Sequence, residues 1–197
     1  MGEQADRLTR GEWYFGDGEL QRRRRDCWIQ LDSFNSAWAD DDDTRARVLL
    51  KLMGSVGEGA LVMPRFQSGY GCNISLGRDA FVNANAFFMD DALIAVGAYA
   101  RIGPGAQLMT ALHPVDEQRA APIMIGENVW LGAAVAVGPG VTIGRNSVVG
   151  AGSVVLGDIH DRVVAVGSPA KVIRTTSVED DSRWRRFVGK GCVLHVP

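Results

Sequence analysis

The sequence predicts a mainly β protein, a stack of short parallel strands wound as a β-helix beneath a helical cap and followed by a short helix. Three observations lead there. Glycine supplies 24 of 197 residues, about 12% against a usual share near 7%. Between Ile123 and Arg174 only 7 of 52 residues are charged, while 17 are Val or Ile and 9 are Gly, a β-forming composition. Within that stretch aliphatic residues recur every six positions, at Ile125, Leu131, Val137, Ile143, Val149 and Val155.

Residues 1–60 read as the cap. They are charge-rich, with 12 Asp/Glu and 9 Lys/Arg. Asp17 is a candidate N-cap, after which Leu20, Cys27, Leu31 and Phe34 share one helical face. Asp43 or Thr44 caps a second expected helix carrying Val48, Leu49 and Leu52. The basic run Arg22 to Arg25 points around the helix rather than to one side, so it reads as solvated surface. The acidic run Asp40 to Asp43 reads as a loop.

Residues 61–174 read as the β-helix. Five of the six aliphatic positions are followed by glycine, namely Gly126, Gly132, Gly138, Gly144 and Gly150, and four positions on from the aliphatics come Val129, Val135, Val141, Ser147, Ser153 and Ile159. Upstream the period continues as Leu76, Val82 and Phe88 and then, after a slip of two residues, as Val96, Ile102 and Leu108. Each repeat is a strand of two or three residues and a turn, its aliphatic pointing inward and its corner eased by glycine or asparagine. No single repeat buries its apolar face, so coils must stack, about thirteen repeats making roughly four coils. Residues 175–197 read as a helix and tail, with Ser177 and Asp180 as a capping box ahead of Trp184 and Phe187.

Composition narrows the function. A net charge of −2 gives no electrostatic footprint for nucleic acid. The three cysteines, Cys27, Cys72 and Cys192, are odd in number and lack metal or disulfide spacing, which suits a reducing cytoplasm. Met1 to Arg10 lacks the apolar core of a secretory signal, and the uncharged stretch Asn128 to Gly144 has strand character, so no membrane association is expected.

The stretches Gly11 to Leu20 (GEWYFGDGEL), Gly71 to Asp91 (GCNISLGRDAFVNANAFFMDD), Thr110 to Pro114 (TALHP) and Gly126 to Arg174 resemble the hexapeptide-repeat sugar O-acetyltransferases, the galactoside, maltose and nodulation-factor group. The resemblance implies a left-handed parallel β-helix, a homotrimer with sites between neighbouring prisms, acetyl-CoA as cosubstrate, a small sugar or glycoside acceptor and no metal. By the same resemblance His113 is the general base, Asp17, Asn83 and Asp91 contact the acceptor, and Trp130 lies in the acetyl and pantetheine region. The backbone N–H of Ala133 stabilises the oxyanion, Ala151 leaves room for pantetheine, and Lys171 and Arg174 face the coenzyme's phosphates.

The residues themselves allow plainer roles. Asp17 serves equally as a helix cap, Asn83 and Asp91 sit near turns where short polar side chains are common, and Lys171 and Arg174 read as solvated surface. Asn85 is expected in a stacked internal ladder. His113 falls where the repeat is interrupted, and Pro114 holds it extended; an imidazole titrating near neutrality suits proton removal. The chain departs from the family pattern at Gly69, at Gly157 and in a shortened segment after His113, which leaves the acceptor open. An antibiotic or amino-sugar acetyltransferase and a noncatalytic scaffold are the alternatives. A metal-dependent hydratase on this fold would need clustered histidines, whereas His113, His160 and His195 are 47 and 35 residues apart.

Overall fold

A computed structural model describes residues 2–112 and 119–177. His113 and the expected C-terminal helix lie outside the described residues. Three helices open the chain: α1 (Glu3–Thr9), α2 (Gly18–Ser36) and α3 (Asp42–Leu52). Asp17 caps α2 by accepting the Leu20 N–H at 2.9 Å, and the expected face of Leu20, Cys27, Leu31 and Phe34 is buried. The second cap differs from expectation. Asp41, not Asp43 or Thr44, accepts the Thr44 N–H at 3.0 Å, and Asp42 and Asp43 form the first helical turn instead of a loop. Negative charge is favoured there because the helix N-terminus presents unpaired N–H groups.

Beyond α3 the chain winds through three walls. The first consists of Ser55–Val56, Ile74–Leu76, Ile94–Val96, Ile123–Ile125 and Thr142–Ile143. The second contains Leu61–Val62, Phe81–Val82, Arg101–Ile102, Trp130–Leu131, Val148–Val149 and Val163–Gly167, and ends with the antiparallel strand Ala170–Thr175. The third holds Gln67–Ser68, Phe87–Met89, Gln107–Met109, Ala136–Val137 and Val154–Val155. Strands one coil apart pair in parallel register, as in Ile102 to Leu131 to Val149. The first and third walls are five strands deep, one coil more than the aliphatic repeats indicated. The extra coil opens at Ser55, where the hexad residues Val56, Val62 and Ser68 lie in a weakly patterned stretch.

All six aliphatics of the strict repeat are buried, as are the residues four positions on. They form one continuous column of core from Val62 to Ala165. The cap closes its open end: Leu31, Phe34, Leu49 and Leu52 join the same core, and the Asn35 side chain clamps the backbone of Phe66, whose ring meets Phe88 edge-on at 5.2 Å between centres, through two hydrogen bonds of 2.8 and 2.9 Å.

The glycines after the aliphatics, Gly138 apart, serve close approach more than bending. A Cβ on Gly103 would lie 2.5 Å from the Gly132 backbone, and one on Gly126 would lie 2.7 Å from the Arg145 nitrogen. Positive φ falls two residues later, at Gly105, Asn128, Ala134, Asn146 and Gly152.

Departures from the six-residue period share one edge. Eight residues separate Ser68 from Leu76 and Phe88 from Val96, and seventeen separate Leu108 from Ile125. Each excess falls after a third-wall strand. The last excursion begins and ends as an antiparallel pair, Ala111–Leu112 with Arg119–Ala120, rather than as unpaired loop.

Candidate active site

The edge that gathers these excursions carries the charged part of the site. Asp90 and Asp91 occupy the second excursion. Asp90 is fully buried, accepting the Tyr70 N–H at 2.8 Å and the Asn73 N–H at 3.3 Å, and burial outweighs these donors to push its carboxyl up to about 6. It ties two coils together. Asp91 turns the other way, toward a cavity of about 570 Å³ whose walls include Tyr14, Arg24, Trp28, Gly69 and Met89. Its Oδ1 accepts the Tyr14 hydroxyl at 2.9 Å. Thr110 fastens this turn from the coil above, donating to the Met89 carbonyl at 2.6 Å and accepting from the Ala92 N–H at 2.9 Å. Thr110 precedes His113 by three residues, so the strand leading to the expected base is anchored on the Asp91 turn.

A second edge, where the second wall meets the third, carries Asn83, Ala133 and Ala151. The register that stacks Val82, Ile102, Leu131 and Val149 places these residues on corners of that edge, the corner of Gly103 to Gly105 lying between Asn83 and Ala133. The Gly152 N–H donates to the Ala133 carbonyl at 2.8 Å, while the amides of Ala133 and Ala151 have no acceptor among the described residues. Both alanines are exposed, and a Cβ on Gly105 or Gly152 would meet nothing within 4 Å. The corner is therefore a slot bordered by small residues. Asn83 uses its Oδ1 to accept the next amide, that of Ala84, at 2.8 Å. Asn85 is corrected: it is exposed with φ 61, not in an internal ladder. The asparagine ladder instead joins Asn128 to Asn146 at 2.9 Å.

Trp130 faces outward from the second wall, 38% exposed, in one row with Arg101 and Val148. The terminal hairpin continues that row, pairing Val164 with Arg174 and Val166 with Lys171 across a β-bulge. A spacing of three would ordinarily send Lys171 and Arg174 to opposite faces, but the bulged residue Ile173 absorbs the odd step and both share the outward face with Trp130. Arg174 stands three strands from Trp130, about 14 Å at the usual strand spacing.

One chain does not bring the two edges together. They bound opposite margins of the third wall, about six extended residues or 20 Å apart. Asp17 is occupied as the α2 cap. His160 is exposed.

Three residues of the site escaped the sequence reading: Tyr14, Tyr70 and Arg24. Tyr14 and Tyr70 are buried beneath α2 together with the expected Asp91, and Arg24 lies beside them. Arg24 is the member of the basic run that turns inward, its Nη2 donating to the Tyr70 hydroxyl at 2.8 Å and its guanidinium lying 5.1 Å from the ring centre. Burial raises both phenols above their ordinary range, so they stay protonated, Tyr14 donating to Asp91 and Tyr70 accepting from Arg24. The aromatic triplet Trp13-Tyr14-Phe15 just before the Asp17 cap was the available signal. Burial likewise pushes the Cys27 thiol up to about 11. Among the described residues no group of three or more His, Cys, Asp or Glu is arranged to hold a metal ion, and no helix is long and apolar enough to cross a membrane.

A solenoid of six-residue repeats with a helical cap over its charged edge defines a class of capped hexapeptide-repeat proteins. Residues 122–157 match the model of the bacterial transferase hexapeptide (six repeats), and residues 7–57 match that of the maltose acetyltransferase hexapeptide capping motif. Nodulation protein L of Rhizobium meliloti (strain 1021) is 40% identical over 86% of this chain and 97% of its own. A maltose O-acetyltransferase from Clostridium difficile 630 superposes with a TM-score of 0.86 at 36% identity, covering 88% of this chain and 97% of its own. A galactoside acetyltransferase in complex with coenzyme A gives a TM-score of 0.86 at 34% identity, covering 92% and 94%. The chain belongs to the hexapeptide-repeat sugar O-acetyltransferase family and, by that membership, is an acetyltransferase.

Proposed function

We propose that this protein moves an acetyl group from acetyl-CoA to a hydroxyl of a sugar or glycoside, with His113 as the base. The observation that carries the reading is the stacking of every break in the repeat on one edge, where the cap encloses Asp91 and Arg24, beside a neighbouring edge of small residues. A carboxylate and a guanidinium at a cavity wall suit the donors and acceptors of a polyol.

The second edge fits a thin thiol-bearing arm. Exposed Ala133 and Ala151 with open space beside Gly105 and Gly152 leave room for pantetheine, and Lys171 and Arg174 on the outward face supply cations for phosphates. The coenzyme, when bound, supplies the activated acetyl thioester. The chain's residues do the rest. Asn83 and Asp91, with Asp17 reaching from the cap, orient the hydroxyl. His113 takes its proton and returns one to the departing sulfur, a role worth about 10² to 10⁴ in rate. The Ala133 N–H faces the developing oxyanion, worth about 10² to 10³. Because the two edges flank opposite margins of one wall, a neighbouring copy completes the site, and a homotrimer is the assembly proposed. Its compartment in this reading is the cytoplasm.

The test mixes protein and acetyl-CoA with glycosides, amino sugars and hydroxylated antibiotics while thiol release is followed. Release with a glycoside, and acetyl found on oxygen by mass spectrometry, is expected. A noncatalytic scaffold releases none, and acetylation only of amines overturns the acceptor class. His113→Ala is expected to lose at least 10²-fold in kcat; turnover equal to the parent's would remove His113 from the role of base.

A further inference from the structure

We infer that two buried phenols from opposite sides of the cap junction, Tyr14 and Tyr70, are positioning residues that hold Asp91 and Arg24 apart as a matched pair for one acceptor hydroxyl. Tyr14 donates to Asp91 Oδ1 at 2.9 Å, and Tyr70 accepts from Arg24 Nη2 at 2.8 Å. With these bonds made, Arg24 Nη2 stands 3.9 Å from Asp91 Oδ1, too far for a hydrogen bond between them. A direct Arg24–Asp91 bond would satisfy both charges and leave neither for a ligand. Instead Asp91 keeps its second oxygen without a protein partner among the described residues, in a residue that lines the cavity. A hydroxyl entering this gap donates to the carboxylate and accepts from the guanidinium, a charge-assisted pairing.

The anchors are rigid. Tyr14 is 2% exposed and packs with Ala5, Leu8, Leu20 and Tyr70 in a core of its own beneath α1 and α2. Tyr14 therefore reports whether the cap is seated, and the cap shapes acceptor recognition through that hydroxyl. The inference rests on Asp91 facing the acceptor, as proposed above.

The test is steady-state kinetics on the full chain with acetyl-CoA and a turned-over glycoside. Tyr14→Phe removes only the hydroxyl and is expected to raise the acceptor KM about tenfold, the usual worth of a hydrogen bond to a charged group, with the acetyl-CoA KM unchanged. Tyr70→Phe is expected to raise it about threefold in the same selective way. In an Asp91→Ala background Tyr14→Phe is expected to add nothing, since the two act through one contact. If Asp91→Ala raises the acceptor KM while both Phe variants match the parent, the positioning role is overturned alone. If Asp91→Ala leaves the acceptor KM unchanged, the acceptor reading of Asp91 falls and takes this inference with it. A Tyr14→Phe variant that raises both KM values together or melts early marks the hydroxyl as merely structural and overturns its role; Tyr70→Phe then tests its own half of the pair by the same split.

Discussion

A Cβ placed on Gly132 would lie 2.6 Å from the backbone nitrogen of Ala151, one coil above. Gly→Ala at a compatible site usually adds about 0.4–1 kcal/mol by restraining the unfolded chain. Here the obstacle is backbone that belongs to the next coil, so the sign reverses. Gly132→Ala is expected to cost about 1–3 kcal/mol in urea unfolding, the range for overpacking. Gly157→Ala, where a Cβ meets nothing within 4 Å, is the control expected to stay near the parent.

Asp90 gives stability a pH dependence of known sign. The unfolded carboxyl ionises near 3.8 and the folded one near 6, so between those values the folded chain keeps a proton the unfolded chain has lost. Stability from this group is therefore greatest below pH 4, falls as pH rises from about 4 to about 6, and is level above, a change on the order of 3 kcal/mol. Asp90→Asn cannot titrate. The difference in unfolding free energy between parent and Asp90→Asn, measured from pH 4 to 7, is expected to follow that slope; a flat difference would refute it.

Bulk at the small-residue edge is expected to act on the coenzyme alone. Ala151→Phe fills an exposed corner without entering the core. The KM for acetyl-CoA is expected to rise about tenfold or more, equivalent to a loss of at least 1.4 kcal/mol, while the acceptor KM and the melting temperature hold. Equal KM values in parent and variant would move the coenzyme elsewhere.

Gly69 lines the cavity that the proposed function assigns to the acceptor. A Cβ there would stand 3.3 Å from Asp90 Oδ1, tight but tolerable, and Gly69→Ser adds a polar side chain at a position that lines the cavity. The variant is expected to reorder the acceptors in the thiol-release panel, disfavouring the bulkiest, with acetyl-CoA kinetics unchanged. An unaltered ranking would place the acceptor away from this wall.

Seen from particular residues, the division between chain and fold is physical. The inward column from Leu76 to Val155 was readable because a wall strand of two or three residues repeats its burial every six positions and nothing remote can alter that period. The cap face of α2 was readable for the same local reason, and so was Asp17 as its N-cap. The Asp41 cap and the extra coil at Ser55 were obscured because acidic runs and weakly aliphatic hexads carry no period.

What the sequence determined by itself was the period, and with it the solenoid, its core and the positions where the period fails. Only the tertiary structure decided that those failures stack on one edge, that a bulge at Ile173 turns Lys171 and Arg174 to one side, and that Arg24 leaves its basic run to meet Tyr70. The bulge is set by hairpin register, while the site depends on contacts between residues tens of positions apart, such as Tyr14 with Asp91, and a hydrogen bond across 77 residues leaves no local pattern to read.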